Sequence, residues 1–83
     1  MKLRYFAWLR TRIGVGAEEL ALPPGIDTAG ELLSWLAGRG DGYRAALARP
    51  ELVRVAVNHD YVGLDHALAD GDEVALFPPV TGG

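Results

Sequence analysis

Cysteine is absent from the sequence. That excludes a disulfide framework, a thiolate zinc site and a cysteine nucleophile at once. Long apolar runs are missing too, so no segment reads as a membrane span. The opening "MKLRYFAWLR" has neither the extended apolar core nor the small-residue cleavage site of a signal peptide. It reads as a first strand, which leads to the expectation of a soluble cytoplasmic protein. Basic clusters are lacking, and the formal net charge is −3, so phosphate-backbone binding is not expected.

What remains describes one folded domain. A chain of 83 residues has little room for a second, and a domain of this size buries only about 60% of its unfolded surface. Its core must therefore be efficient. Hydrophobic residues make up 49% of the chain and charged ones 23%, a balance that favours a globular chain over a disordered one.

Residues 2–9, "KLRYFAWL", predict a strand. "RTRIGVG" then predicts a turn, and "AEELAL" at 17–22 a returning strand, so that the two form a hairpin. "PPG" at 23–25 breaks the chain. Thr28 followed by Glu31 has the spacing of a capping box. Ala29, Leu32, Leu33 and Leu36 recur at helical spacing as one apolar stripe, with Gly38 and Gly40 as the stop. A short helical turn fits 43–48. Residues 52–58, "LVRVAVN", alternate as a half-buried strand. "NHDYVG" turns into a short edge strand. A type I′ or similar turn at Asp70-Gly71 leads into a last strand at 73–77. The order predicts an α+β roll of the β-grasp type, a mixed sheet of four or five strands with one main helix. The body spans 1–77, and 78–83 form a flexible tail ending in Gly-Gly.

Strand parity divides the sheet. Leu3, Tyr5, Val53, Val55, Val57, Val74 and Leu76 share a face that receives the helix stripe. Phe6, Trp8, Ala56, Ala75 and Phe77 fall on the other, with Arg4 and Arg54 among them. A sheet with one helix leaves its second face to water, and such strands normally alternate cleanly with polar residues. Here they do so only in part. Loops covering the patch would explain that, and so would a docking surface for another protein; the second reading is favoured.

Little else suggests chemistry. His59 and His66 lack any surrounding set of metal ligands and read as turn or surface residues. "DGDE" lacks the spacing of a calcium loop, "GVGAEE" is no dinucleotide loop, and no serine or threonine has a paired base. The terminus stands apart. Beyond Phe77 six residues remain, a reach of roughly 20 Å when extended. Pro78 and Pro79 favour a stiff exit. Gly82 and Gly83, lacking Cβ atoms, can thread a channel that rejects side chains. Gly-Gly alone would read as a frayed end, but this stalk on this body reads as a carrier whose carboxylate is processed inside partners.

"DGDEVALFPPVTGG" closely resembles the C-terminal signature of the MoaD/ThiS family of ubiquitin-like sulfur carriers, on the molybdopterin synthase side of that family. "RYFAWLRTRIG" and "VRVAVNHDYV" resemble its first strand and its strand-turn. The resemblance implies a non-catalytic carrier subunit with no bound cofactor. An adenylating enzyme of the MoeB type would use Mg-ATP to activate the Gly83 carboxylate, and a sulfur donor would convert it to a thiocarboxylate. Pro78, Pro79, Val80, Thr81 and Gly82 would thread into a MoaE-type large subunit, where the sulfur passes to cyclic pyranopterin monophosphate. Phe6, Trp8, Tyr61 and Phe77 would contact the partner. A thiamine-pathway sulfur carrier and a ubiquitin-like interaction module that carries no sulfur remain alternatives.

Overall fold

The first and last strands of the body lie side by side at the centre of the sheet. In the computed structural model, which describes residues 1–79, β1 (Lys2–Tyr5) runs parallel to β5 (Glu73–Phe77) with Leu3 opposite Val74 and Tyr5 opposite Leu76. On the outer side of β1 lies β2 (Ala17–Glu19), antiparallel to it. On the other side of β5 lies β3 (Arg54–Val57), antiparallel, and then β4 (Asp60–Val62) at the far edge. The five-stranded order is β2-β1-β5-β3-β4.

Alternation decides which face is dry. Leu3, Tyr5, Val55, Val57, Val74 and Leu76 are all buried, Leu3, Val74 and Leu76 completely. They share one side of the sheet, and α2 (Ala29–Ala37) lays Ala29, Leu32, Leu33 and Leu36 against them. The predicted capping box is present. Thr28 Oγ1 accepts from the Glu31 N–H at 3.2 Å, and Glu31 Oε1 accepts from the Thr28 N–H at 3.0 Å, which satisfies donors that the helix start would otherwise leave open. A second short helix, α3 (Asp41–Ala46), follows, and a 3₁₀ turn at Pro50–Leu52 leads into β3.

The main departure from expectation lies at residues 6–13. The strand predicted for 2–9 ends at Tyr5, and Ala7–Ile13 form a helix, α1. The Phe6 N–H still donates to the Leu76 carbonyl at 3.1 Å. Ala7 then adopts φ +56°, a left-handed conformation that turns the chain off the sheet. Leu9, buried, and Ile13, one turn later, face the core. Gly14 ends the helix at φ +97°, its N–H donating to the Arg10 carbonyl at 2.9 Å, a glycine stop that avoids the Cβ penalty. The β1–β2 pair is therefore antiparallel as expected, but a helix joins its strands. Close packing of α1 on α3 leaves no space at Gly42: a Cβ there would overlap the Arg12 carbonyl oxygen.

The left-handed hairpin turn also lies elsewhere than predicted. Asn58 and His59, between β3 and β4, have φ +50° and +73°, as a type I′ turn requires. Asp70-Gly71 turns without positive φ, closed by the Asp72 N–H donating to the Ala69 carbonyl at 3.0 Å.

Candidate functional site

The sheet face away from α2 is built in rows. Strand registry places Arg4 beside Ala75, Ala75 beside Ala56, and Ala56 beside Tyr61. In the next row Phe77 stands beside Arg54. Phe6 is 42% exposed and Tyr61 73%. Tyr61 meets Phe77 edge to face with ring centroids 5.5 Å apart, and the Arg4 guanidinium lies 5.7 Å from the centroid of the Phe6 ring. Among the described residues no helix covers this face. Three of the four predicted contact residues, Phe6, Tyr61 and Phe77, are thus gathered on one open surface, with two alanines forming its shallow floor.

Trp8 is the exception. Because the chain leaves the sheet at Ala7, Trp8 belongs to α1 and not to the open face. It is partly buried against the core, and the Arg12 guanidinium sits 4.7 Å above its ring. The glycine stop at Gly14, together with the non-alternating Arg10-Thr11-Arg12, was the sequence signal for this helix.

The same strand that supplies Phe77 delivers the tail. Pro78 and Pro79 follow directly and are outside any strand. Val80, Thr81, Gly82 and Gly83, the rest of the predicted threading segment and its carboxylate, lie outside the described residues. The histidines stay apart from this surface's chemistry: His59 is in the hairpin turn and His66 is exposed in a loop. Among the described residues no group of three His, Asp or Glu is placed to hold a metal ion.

Sequence reasoning missed a polar cluster on the dry side. The Glu18 carboxylate of β2 accepts from the Tyr5 hydroxyl at 2.7 Å, from the Tyr43 hydroxyl of α3, and from Arg39 Nη1 at 2.9 Å. Burial pushes this carboxyl up, but the bonds from Tyr43, Tyr5 and Arg39 outweigh it and hold it below its ordinary range. Burial, followed by the bond to Glu18, pushes the Tyr5 phenol far up. The four groups come from four separate segments, so no local pattern announces them. Their role is to fasten the β2 edge to the helical layer.

A mixed five-stranded sheet with its first and last strands paired in parallel at the centre, and a helix across one face, is a ubiquitin-like β-grasp fold. Crystallised SAMP1, a small archaeal modifier protein from Haloferax volcanii, superposes with a TM-score of 0.73 at 32% identity, covering 100% of this chain and 98% of that one. Within that fold the chain belongs to the ThiS family, whose profile matches residues 3–83. It is 42% identical to the molybdopterin synthase sulfur carrier subunit of Escherichia coli and 40% identical to that of Haemophilus influenzae, in each case over 100% of this chain and 99% of the relative.

Proposed function

We propose that this protein is the sulfur carrier subunit of a molybdopterin synthase, with the Gly83 carboxylate as the carrying group. The observation that supports the reading best is the origin of the tail: β5 sets Phe77 into the open aromatic face and continues at once into Pro78 and Pro79. A partner seated on Phe6, Tyr61 and Phe77 therefore takes hold of the body where the tail begins. Full-length likeness to two curated carriers points the same way.

The chemistry needs activation, because a carboxylate has no adequate leaving group. A Gly83 carboxylate oxygen attacks the α-phosphorus of Mg-ATP within an adenylating partner, and pyrophosphate leaves. Sulfide, or a sulfur donor of equal oxidation state, then attacks the acyl carbon and expels AMP, leaving a thiocarboxylate. Its sulfur is ionised and nucleophilic near neutral pH, as a thiolate of low pKa is. Inside a large subunit it passes to cyclic pyranopterin monophosphate. The carrier acts in the cytoplasm; among the described residues no helix is long and apolar enough to cross a membrane.

Likeness to an archaeal modifier motivates a second reading, in which the activated Gly83 carbonyl is captured by a lysine amine. The two readings share the adenylate and part at the nucleophile. Intact mass after incubation with the adenylating enzyme, Mg-ATP and sulfide tests them. One oxygen-for-sulfur exchange on Gly83 is expected. Exchange that persists after Gly83 is deleted overturns the proposal, and lysine conjugates without a thiocarboxylate favour the modifier.

A further inference from the structure

Neither arginine of the open face forms an ion pair among the described residues, although Arg4 borders the same concavity as Glu19 and Glu73. Arg4 lies between Ala17 and Ala75 in the strand registry, and Arg54 lies beside Phe77. The ion pairs among the described residues engage the Met1 amine, Arg39, Arg49 and His59, never these two. Arg54 reaches only the Glu51 carbonyl, at 3.5 Å, and Arg4 rests on the Phe6 ring. Lys2, also on this face, stands between Glu19 and Glu73 by registry, so its row carries a net negative charge. The excess positive charge is thus confined to the two rows that also hold Phe6, Phe77 and Tyr61.

This runs against the chain as a whole, which carries a net charge of −3. An unpaired guanidinium on an aromatic docking face is more than a solubility device, because covering it without a partner carboxylate would strand a buried charge. The floor between the arginines is equally specific. Ala56 and Ala75 are cross-strand partners, walled by Arg4 on one side, Tyr61 on the other and Phe77 in the next row. Methyl groups between longer side chains leave a shallow recess there. Two inter-strand steps of about 4.8 Å and two residues of about 3.3 Å separate Arg4 from Arg54, or about 12 Å between their Cα atoms.

We infer that the partner protein covering this face presents an acidic patch, with carboxylates that meet Arg4 and Arg54 on either side of an aliphatic side chain seated over Ala56 and Ala75. This rests on the sulfur carrier reading and adds to it what the partner surface must carry. The two arginines choose the partner and speed the encounter, as complementary charge at an interface does. A second copy of this chain is disfavoured as occupant, since a two-fold contact through this face would bring four guanidiniums together.

The test uses the full chain with the molybdopterin synthase large subunit of the same organism, measuring association rate and affinity from low to high sodium chloride. Arg4→Glu and Arg54→Glu should each weaken binding by about tenfold or more, and the Arg4→Gln/Arg54→Gln double variant should flatten the salt dependence of the association rate. Both side chains are exposed, so melting temperatures should stay near that of the parent. Ala75→Trp, which fills the recess, should abolish binding at every salt concentration. If Ala75→Trp abolishes binding while the arginine variants bind as the parent does, the acidic patch is overturned and the docking face stands. If Ala75→Trp binds normally, the inference is overturned along with this face as the docking surface. A chain that accepts sulfur but binds no large subunit overturns the inference and leaves Gly83 as a sulfur carrier. Self-association through this face, lost in Ala75→Trp, also overturns it.

Discussion

Tyr5 and Tyr43 meet edge to face, ring centroids 6.4 Å apart, and both hydroxyls donate to the single carboxylate of Glu18. One strand at the centre of the sheet and one short helix are thereby tied through a residue on the sheet's edge. The arrangement makes stability depend on the charge of Glu18. Its folded pKa lies below the ordinary 4.5, so the contribution is full above that pH and is lost as the pH falls through the lower, folded value. Thermal melts should therefore show a fall in melting temperature below pH 4.5. Glu18→Gln should cost about 1–3 kcal/mol at neutral pH and reduce that acid-side slope. An unchanged slope would remove Glu18 as its source.

The hairpin turn offers a gain. His59 holds φ +73°, which costs a residue with a Cβ roughly 1–2 kcal/mol. Its contact with Glu73, 3.8 Å at an exposed position, returns little. Glycine removes the strain and gives back about 0.4–1 kcal/mol through the freer unfolded chain. His59→Gly should therefore stabilise by about 0.5–1 kcal/mol, seen as a rise of a few degrees in melting temperature. Asn58→Ala should do the reverse, because Asn58 donates to Asp72 at 2.9 Å and accepts from the Glu73 N–H at 3.0 Å.

Gly42 sets helix propensity against packing. Alanine is favoured over glycine inside a helix by about 1 kcal/mol, which taken alone would make Gly42→Ala stabilising. The new Cβ would collide with the Arg12 carbonyl, a backbone atom at the end of α1 that cannot rotate aside. Overpacking costs about 1–3 kcal/mol and should win. A chemical denaturation curve shifted to lower midpoint is the expected result.

Phe6 and Trp8 should separate binding from stability. Phe6→Asp places a charge where the side chain is 42% exposed and should leave the melting temperature nearly unchanged while weakening the large-subunit complex in calorimetry. Trp8→Ala removes a ring packed partly against the core and should cost about 1–3 kcal/mol of stability, with its effect on binding following from the loosened α1. A Phe6→Asp chain that melts early would place Phe6 in the core.

How much of this was legible in the sequence depended on the range of the interactions. The signals for α2 are local: the Thr28–Glu31 box and the stripe ending at Leu36 lie within nine residues of one another, and the structure follows both. The last strand, 73–77, was marked by alternation and the preceding Asp-Gly turn. At Phe6-Ala7-Trp8 the aromatic content spoke for a strand, whereas the left-handed φ of Ala7 and the burial of Leu9 bend the chain away. That switch is enforced by tertiary packing, so composition misplaced Trp8. The Glu18 cluster spans |i−j| of 13 and 25 in its tyrosine bonds and has no local trace. Alternation put Phe6 and Phe77 on one face because it holds through β5 and one residue past the end of β1, whereas Tyr61 followed from the family resemblance alone.

The parallel pairing of β1 with β5 also sets when this protein can fold. Until residues 73–77 have been synthesised, the sheet exists only as two halves, β2 with β1 and β3 with β4, with no strand pairing between them. Leu3 and Tyr5 must wait for Val74 and Leu76, some seventy residues later, before their side of the sheet can close. Contacts this distant in sequence make folding slow compared with helical proteins of the same length. Prematurely terminated chains lacking β5 have no centre to their sheet, so they should remain unfolded and open to proteolysis. A ribosome that stops before β5 is made therefore yields a degradable fragment, not a folded decoy that occupies the carrier's partners without a tail to deliver.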